Sequence, residues 1–127
     1  MENKIFTLHK TVTEADTAAH VGSGSLPVLA TPVLIAWMEA AACGCCAGLM
    51  EEGTTSVGTE MNMRHTAASP VGMKVTVTAE LTAVKGRILS FKVYAEDTAG
   101  AIGEGSHTRA IIRAERFMEK ANAKLAQ

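Results

Sequence analysis

The chain has 127 residues, 47% of them hydrophobic and 20% charged, and its 12 Lys and Arg against 13 Asp and Glu give a formal charge of -1. That balance fits one compact domain over residues 1–127 and argues against a disordered tail. No basic run is present and only five aromatic residues are (Phe6, Trp37, Phe91, Tyr94, Phe117), so neither the electrostatic footprint nor the stacking platform of a nucleic-acid binder is there, nor a basic face for an anionic membrane.

The opening MENKIFTLHK lacks the apolar core of a signal peptide, which makes the cytoplasm the expected compartment. Residues 4–13 set Phe6, Leu8 and Val12 against Thr7, His9, Thr11 and Thr13, a period of two that predicts a half-buried strand. Residues 15–27 are small and polar, with Gly22, Gly24 and Pro27, and read as a loop arching over something. Asp16 and His20 in that loop faintly outline the acid and base of a hydratase, but their setting and spacing do not match that signature.

Thr31 followed by Pro32 marks a helix start, because a threonine hydroxyl can satisfy an early amide and proline fits the first helical position. The helix is expected to run to about Met50 and stop at Glu51-Glu52-Gly53, with Gly53 as its left-handed cap. Residues 27–50 are long and apolar enough to cross a membrane. Glu39 near their centre would cost about 2 to 3 kcal/mol there, and no basic anchor flanks them. A helix apolar on every side is instead one wrapped by its own domain. Cys43, Cys45 and Cys46 project from it in different directions, suiting neither a metal site nor a local disulfide, and are read as small buried apolar side chains.

Strands follow. Residues 55–66 are interrupted by Gly58; 74–84 alternate Val75, Val77, Ala79, Leu81 and Ala83 with polar partners; Lys85-Gly86 turns into 87–96; Asp97 to Gly100 turn the chain into 101–113. Residues 115–125 suit a short surface helix. One strand, a long helix and four strands in meander give an α+β hotdog fold: an antiparallel sheet wrapped around a long central helix. A single such layer leaves faces and edges uncovered, so a two-fold homodimer with the active site between subunits is expected.

Glu39 is the one carboxylate in the apolar helix, and His65 stands on the next strand. An ionised acid in apolar surroundings must be paired, hydrogen-bonded or protonated, and each state points towards chemistry. Plainer readings stand beside this one. Thr31 could be only a cap, Glu39 a structural acid paired to Arg64 or Arg109, His65 a satisfied core histidine, Arg109 a solvated strand residue sharing a face with His107, and Gly58 a bulge glycine.

Four segments, LATPVLIAWMEAA, TSVGTEMNMRHTAASPVG, VTVTAELTAVKGRILSFKVYAED and GSHTRAII, together resemble the fluoroacetyl-CoA thioesterase-like family of hotdog thioesterases over residues 25–117. The resemblance implies a catalytic set of Thr31, Glu39 and His65, with Gly58 beside the thioester carbonyl and Arg109 as a substrate-contacting residue. It implies an acyl-CoA substrate and no metal or redox cofactor. The family members that confer fluoroacetate resistance carry a bulky lid, whereas residues 20–27 here contain no aromatic residue, so a small acyl group without selection for fluorine is expected.

The residue types suit thioester hydrolysis, which needs a nucleophile or activated water, a base near neutral pKa, an acid to orient it and donors for the oxyanion. His65 can pass a proton from Thr31 or water to the departing thiol, and Glu39 can hold its tautomer. Thr31 and Glu39 lie eight residues apart, about 12 Å along a helix, so something must lie between them. The contrasting functions are a non-catalytic acyl-CoA or acyl-carrier sensor using the same cleft and, more remotely, a hotdog hydratase.

Overall fold

A computed structural model describes residues 4–126. The first three residues, part of the leader reading above, lie outside them. Five strands, β1 (Lys4–Thr11), β2 (Thr54–His65), β3 (Lys74–Lys85), β4 (Ile88–Asp97) and β5 (Gly100–Arg113), form one antiparallel sheet in the order β1-β3-β4-β5-β2. Helix α2 (Thr31–Cys46) lies across one face of it, as the hotdog reading requires.

The expected four-strand meander is corrected: only β3, β4 and β5 follow one another in the sheet. β2 pairs instead with β5, from Thr54 opposite Arg113 to His65 opposite Gly103. The reason lies in residues 66–73, which form no hairpin but are bound to the chain before α2, with Leu29 N–H donating to the Ser69 carbonyl at 2.8 Å and Val28 bridging Pro70. β1 and β2 are therefore both edges. Between β3 and β4, Gly86 at φ 60 opens a two-residue loop, the primed-turn geometry whose twist matches the strands.

Leu34, Trp37, Met38, Ala41, Ala42, Cys45 and Cys46 form the buried stripe of α2. They pack on the inward rows of β3 (Val75, Val77, Ala79, Leu81) and β4 (Leu89, Phe91, Val93, Ala95), and each large apolar side chain contributes about 2 kcal/mol by leaving water. The helix is not enclosed on all sides, however. Pro32, Ala36, Ala40, Cys43 and Ala47 make an exposed stripe at helical spacing, so Cys43 is not the buried residue expected of it. The segment Thr31–Leu49 is long and apolar enough to cross a membrane, and here it lies against the sheet.

Other local expectations shift. β1 is largely exposed, with only Leu8 half-buried, because it is an edge strand; Phe6 lies over Gly44, where a Cβ would come within 2.7 Å of its ring. Residues 15–27 are not a plain loop: a helical turn (Glu14–Asp16) and a short helix α1 (Ala18–Val21) occupy their start. Buried Thr17 ties the two, its hydroxyl donating to the Glu14 carbonyl (2.8 Å) and accepting from His20 N–H (3.2 Å). α2 gives way to a helical turn at Ala47–Leu49, and Gly53 (φ 82) is not its cap but turns the chain into β2. Helix α3 (Ala114–Ala123) sits exposed on the surface, where a surface helix was expected.

Candidate active site

Thr31 is the first helical residue, not the cap. That place belongs to Ala30, in extended backbone with no side-chain cap bond, so the threonine hydroxyl is free for another partner. The partner is His65: Thr31 Oγ1 lies 2.8 Å from His65 Nδ1. His65 ends β2 and is carried to the helix start by the pairing of β2 with β5. The two border a pocket of about 310 Å³ whose other walls include the short side chains of Ala18, Ser23, Ala67 and Ala68.

His65 Nε2 is buried and has no hydrogen-bond partner among the described residues. Burial holds the imidazole below its usual 6.5, partly offset by a backbone contact with Ala67, so the ring is a neutral base at pH 7.

Glu39 does not meet His65 within one chain. It turns towards β5, where its Oε2 lies 3.5 Å from Arg109 Nη1, and 42% of its side chain is exposed. Arg109 is buried rather than solvated. Its Nε donates to Ser56 Oγ at 2.8 Å and its Nη2 to the Ser56 carbonyl at 3.0 Å, while Nη1 also lies 3.2 Å from His107 Nε2. The Glu39 contact is long and half-exposed, so it adds little to stability and matters for where it aims the carboxylate.

Gly58 faces this cluster. A Cβ there would lie 2.6 Å from Glu39 Oε2, 3.3 Å from His107 Cε1 and 3.4 Å from Arg109 Nη1. It is also a bulge position, since the register passes from Gly58 opposite Arg109 to Glu60 opposite Thr108. The bulge reading of that glycine therefore holds, and its missing side chain is what lets the Glu39 carboxylate approach. The Asp16 and His20 outline dissolves: Asp16 accepts from Thr13 N–H and Oγ1 at 2.8 and 2.9 Å, and His20 is exposed on α1. His107 and Ser56 were not singled out in the sequence. The signal for His107 was its parity with Gly103, Gly105 and Arg109 on the inward row of β5.

A pH dependence of stability follows from the two histidines. His65 and His107 are both held below 6.5, chiefly by burial, so the folded chain binds fewer protons than the unfolded one and stability falls as pH drops from 6.5 through the folded values. Asp97, held below 3.8 by the Ser69 hydroxyl, acts in a separate and more acidic window. Thermal melts are expected to show Tm declining between pH 7 and pH 5; a flat Tm over that range would contradict the buried, neutral rings.

An antiparallel sheet around a long helix, with a threonine-histidine pair at the helix start, defines a hotdog-fold thioester hydrolase. The fluoroacetyl-CoA-specific thioesterase family matches residues 12–115, and the chain belongs to that family. It is 46% identical over 100 residues to a fluoroacetyl-CoA thioesterase of Streptantibioticus cattleyicolor, spanning 79% of this chain and 69% of that relative. The solved structure of the fluoroacetyl-CoA thioesterase FlK superposes with a TM-score of 0.92 at 39% identity, over 98% of this chain and 97% of that one. A threonine-to-alanine variant of FlK bound to fluoroacetate superposes at 0.91 with 38% identity, covering 98% of both chains. A thioesterase superfamily member from Thermus thermophilus superposes at 0.89 with 25% identity over 99% of this chain and 96% of its own.

Proposed function

We propose that this protein hydrolyses a small acyl-CoA thioester to the free acid and CoA, as a cytoplasmic homodimer of single hotdog domains, with Thr31, Glu39 and His65 as its catalytic residues. The observation that carries the reading is the 2.8 Å contact of Thr31 Oγ1 with a neutral His65 ring beside an open pocket. The names of the relatives, thioesterases acting on fluoroacetyl-CoA, support the thioester.

The oxygen of Thr31, or of a water it positions, attacks the thioester carbonyl while its proton passes to His65 Nδ1. The C–S bond then breaks and the departing thiolate takes that proton; where Thr31 itself attacks, a water then attacks the acyl-threonine ester, His65 takes its proton and returns it to Thr31 Oγ1, and the free acid leaves. With Nδ1 accepting, Nε2 carries the hydrogen and needs an acceptor, which none of the described residues supplies. The partner subunit's Glu39 is the acceptor in our reading, its carboxylate being partly exposed here.

Two features support assembly. β2 is an edge strand of twelve residues whose outer side is unpaired among the described residues, a template for a second copy, and α2 with the first residue of the turn after it presents the exposed Pro32, Ala36, Ala40, Cys43 and Ala47 stripe. In this reading Gly58, with the Glu39 carboxylate close against it, stands beside the thioester carbonyl, and Arg109 reaches substrate through the carboxylate it holds, not through a free guanidinium arm. With no aromatic residue in residues 20–27, the acyl group is small without being restricted to a fluorinated one. The scheme calls for no metal or redox cofactor.

A panel of acyl-CoAs with thiol detection tests the reaction. Tight binding without thiol release would mark a non-catalytic acyl-CoA sensor. Mixing chains carrying His65→Ala with chains carrying Glu39→Gln tests the shared site: random pairing gives mixed dimers with one intact site, and about a quarter of wild-type activity is expected to return. No recovery would mean that one chain supplies both residues.

A further inference from the structure

His107 is almost fully buried, 2% exposed, and its surroundings leave it one tautomer. Nδ1 faces the Glu60 carbonyl at 2.7 Å, which can only accept, so Nδ1 carries the hydrogen. Nε2 faces Arg109 Nη1 at 3.2 Å, which can only donate, so Nε2 offers its lone pair. Phe91, its cross-strand neighbour on β4, holds the ring from the side with centroids 5.9 Å apart. The imidazole is thus a fixed acceptor aimed at one guanidinium nitrogen. That nitrogen is the one that reaches Glu39 Oε2, while the other two are tied to Ser56.

We propose that His107 is a positioning residue for the reaction: as a neutral acceptor it sets the Nη1 arm of Arg109, and through it places the Glu39 carboxylate over Gly58. The inference rests on the catalytic role read for Glu39. Here the acceptor takes the second Nη1 hydrogen of a buried guanidinium whose other nitrogens bond Ser56, so that Nη1 is held between the ring and the Glu39 carboxylate. His107 touches no reacting atom in this scheme, so its effect falls on turnover and not on substrate affinity.

Two variants test it. His107→Leu removes the acceptor while keeping the site apolar and filled, and is expected to lower kcat about ten- to a hundredfold with KM little changed. His107→Gln returns an oxygen acceptor to the Nε2 position and is expected to recover most of that loss. Equal kcat in both variants, whether both impaired or both at wild-type level, would overturn the proposal. Should His107→Leu fail to fold, nitrogen NMR of the wild-type ring decides: a neutral ring with hydrogen on Nδ1 at pH 7 supports the proposal, and hydrogen on Nε2 sinks it. That spectrum also separates the two readings. Wild-type protein releasing no thiol from any acyl-CoA would remove the thioesterase reading and leave the His107 to Arg109 contact to be judged by its tautomer.

Discussion

Replacing His65 with alanine is expected to lower kcat for acyl-CoA hydrolysis by a hundred- to ten-thousandfold, the usual contribution of a general base. The ring is the group within hydrogen-bond reach of the Thr31 hydroxyl, at 2.8 Å, and its depressed pKa keeps it unprotonated at pH 7. The same substitution should leave Tm within a few degrees of wild type. It discards a buried Nε2 that has no partner among the described residues, and Thr31, already exposed, can take water in place of the ring. Loss of turnover with retention of fold is therefore the signature. Hydrolysis at the wild-type rate in His65→Ala would remove the proton-transfer role. The acid limb of kcat/KM in the wild type is expected below pH 6.5, following the direction of the shift, and the residual activity of the variant should lack it.

The second large effect contrasts two glycines facing the same half of the sheet. Gly105→Ala is expected to cost about 3 kcal/mol of stability. Its Cβ would meet the Asn62 carbonyl and lie 2.6 Å from Met63 Cα, so the backbone of β2 itself would have to move away from β5. Gly58→Ala clashes hardest with the tip of a flexible side chain, Glu39 Oε2 at 2.6 Å, and presses lightly on His107 Cε1 at 3.3 Å. The carboxylate can turn aside into solvent, so the fold should survive while the Arg109 contact and the activity are lost. Melts and turnover on both variants check this together. A Gly105→Ala protein as stable as wild type, or a Gly58→Ala protein with unchanged kcat, would contradict the packing described at these positions.

Much of this was legible in the residues themselves. Period-two alternation in Val75 to Ala83 and Leu89 to Ala95 placed β3 and β4, because one face of each strand is buried against α2. The apolar run after Pro32 placed the helix, and Gly86 the turn between β3 and β4. What misled was local chemistry that had two uses. Thr31 beside Pro32 looked like a cap, yet its hydroxyl serves His65 and the cap is Ala30. Residues 15–27 looked structureless because small residues hide the Thr17 hydrogen bonds that order them.

By itself the sequence determined the element types, the hotdog class and the chemical kinds of residue available, since each depends on spacing within a segment or on motifs that survive in a single chain. Tertiary structure alone decided the partners. Sending β2 to the far edge beside β5 set His65 against Thr31, and it gathered Glu39, Gly58, His107 and Arg109 into one cluster. Strand order is fixed by which edges meet after collapse, and no local period encodes it, so contacts between residues 34 and 70 positions apart had to be seen in the fold.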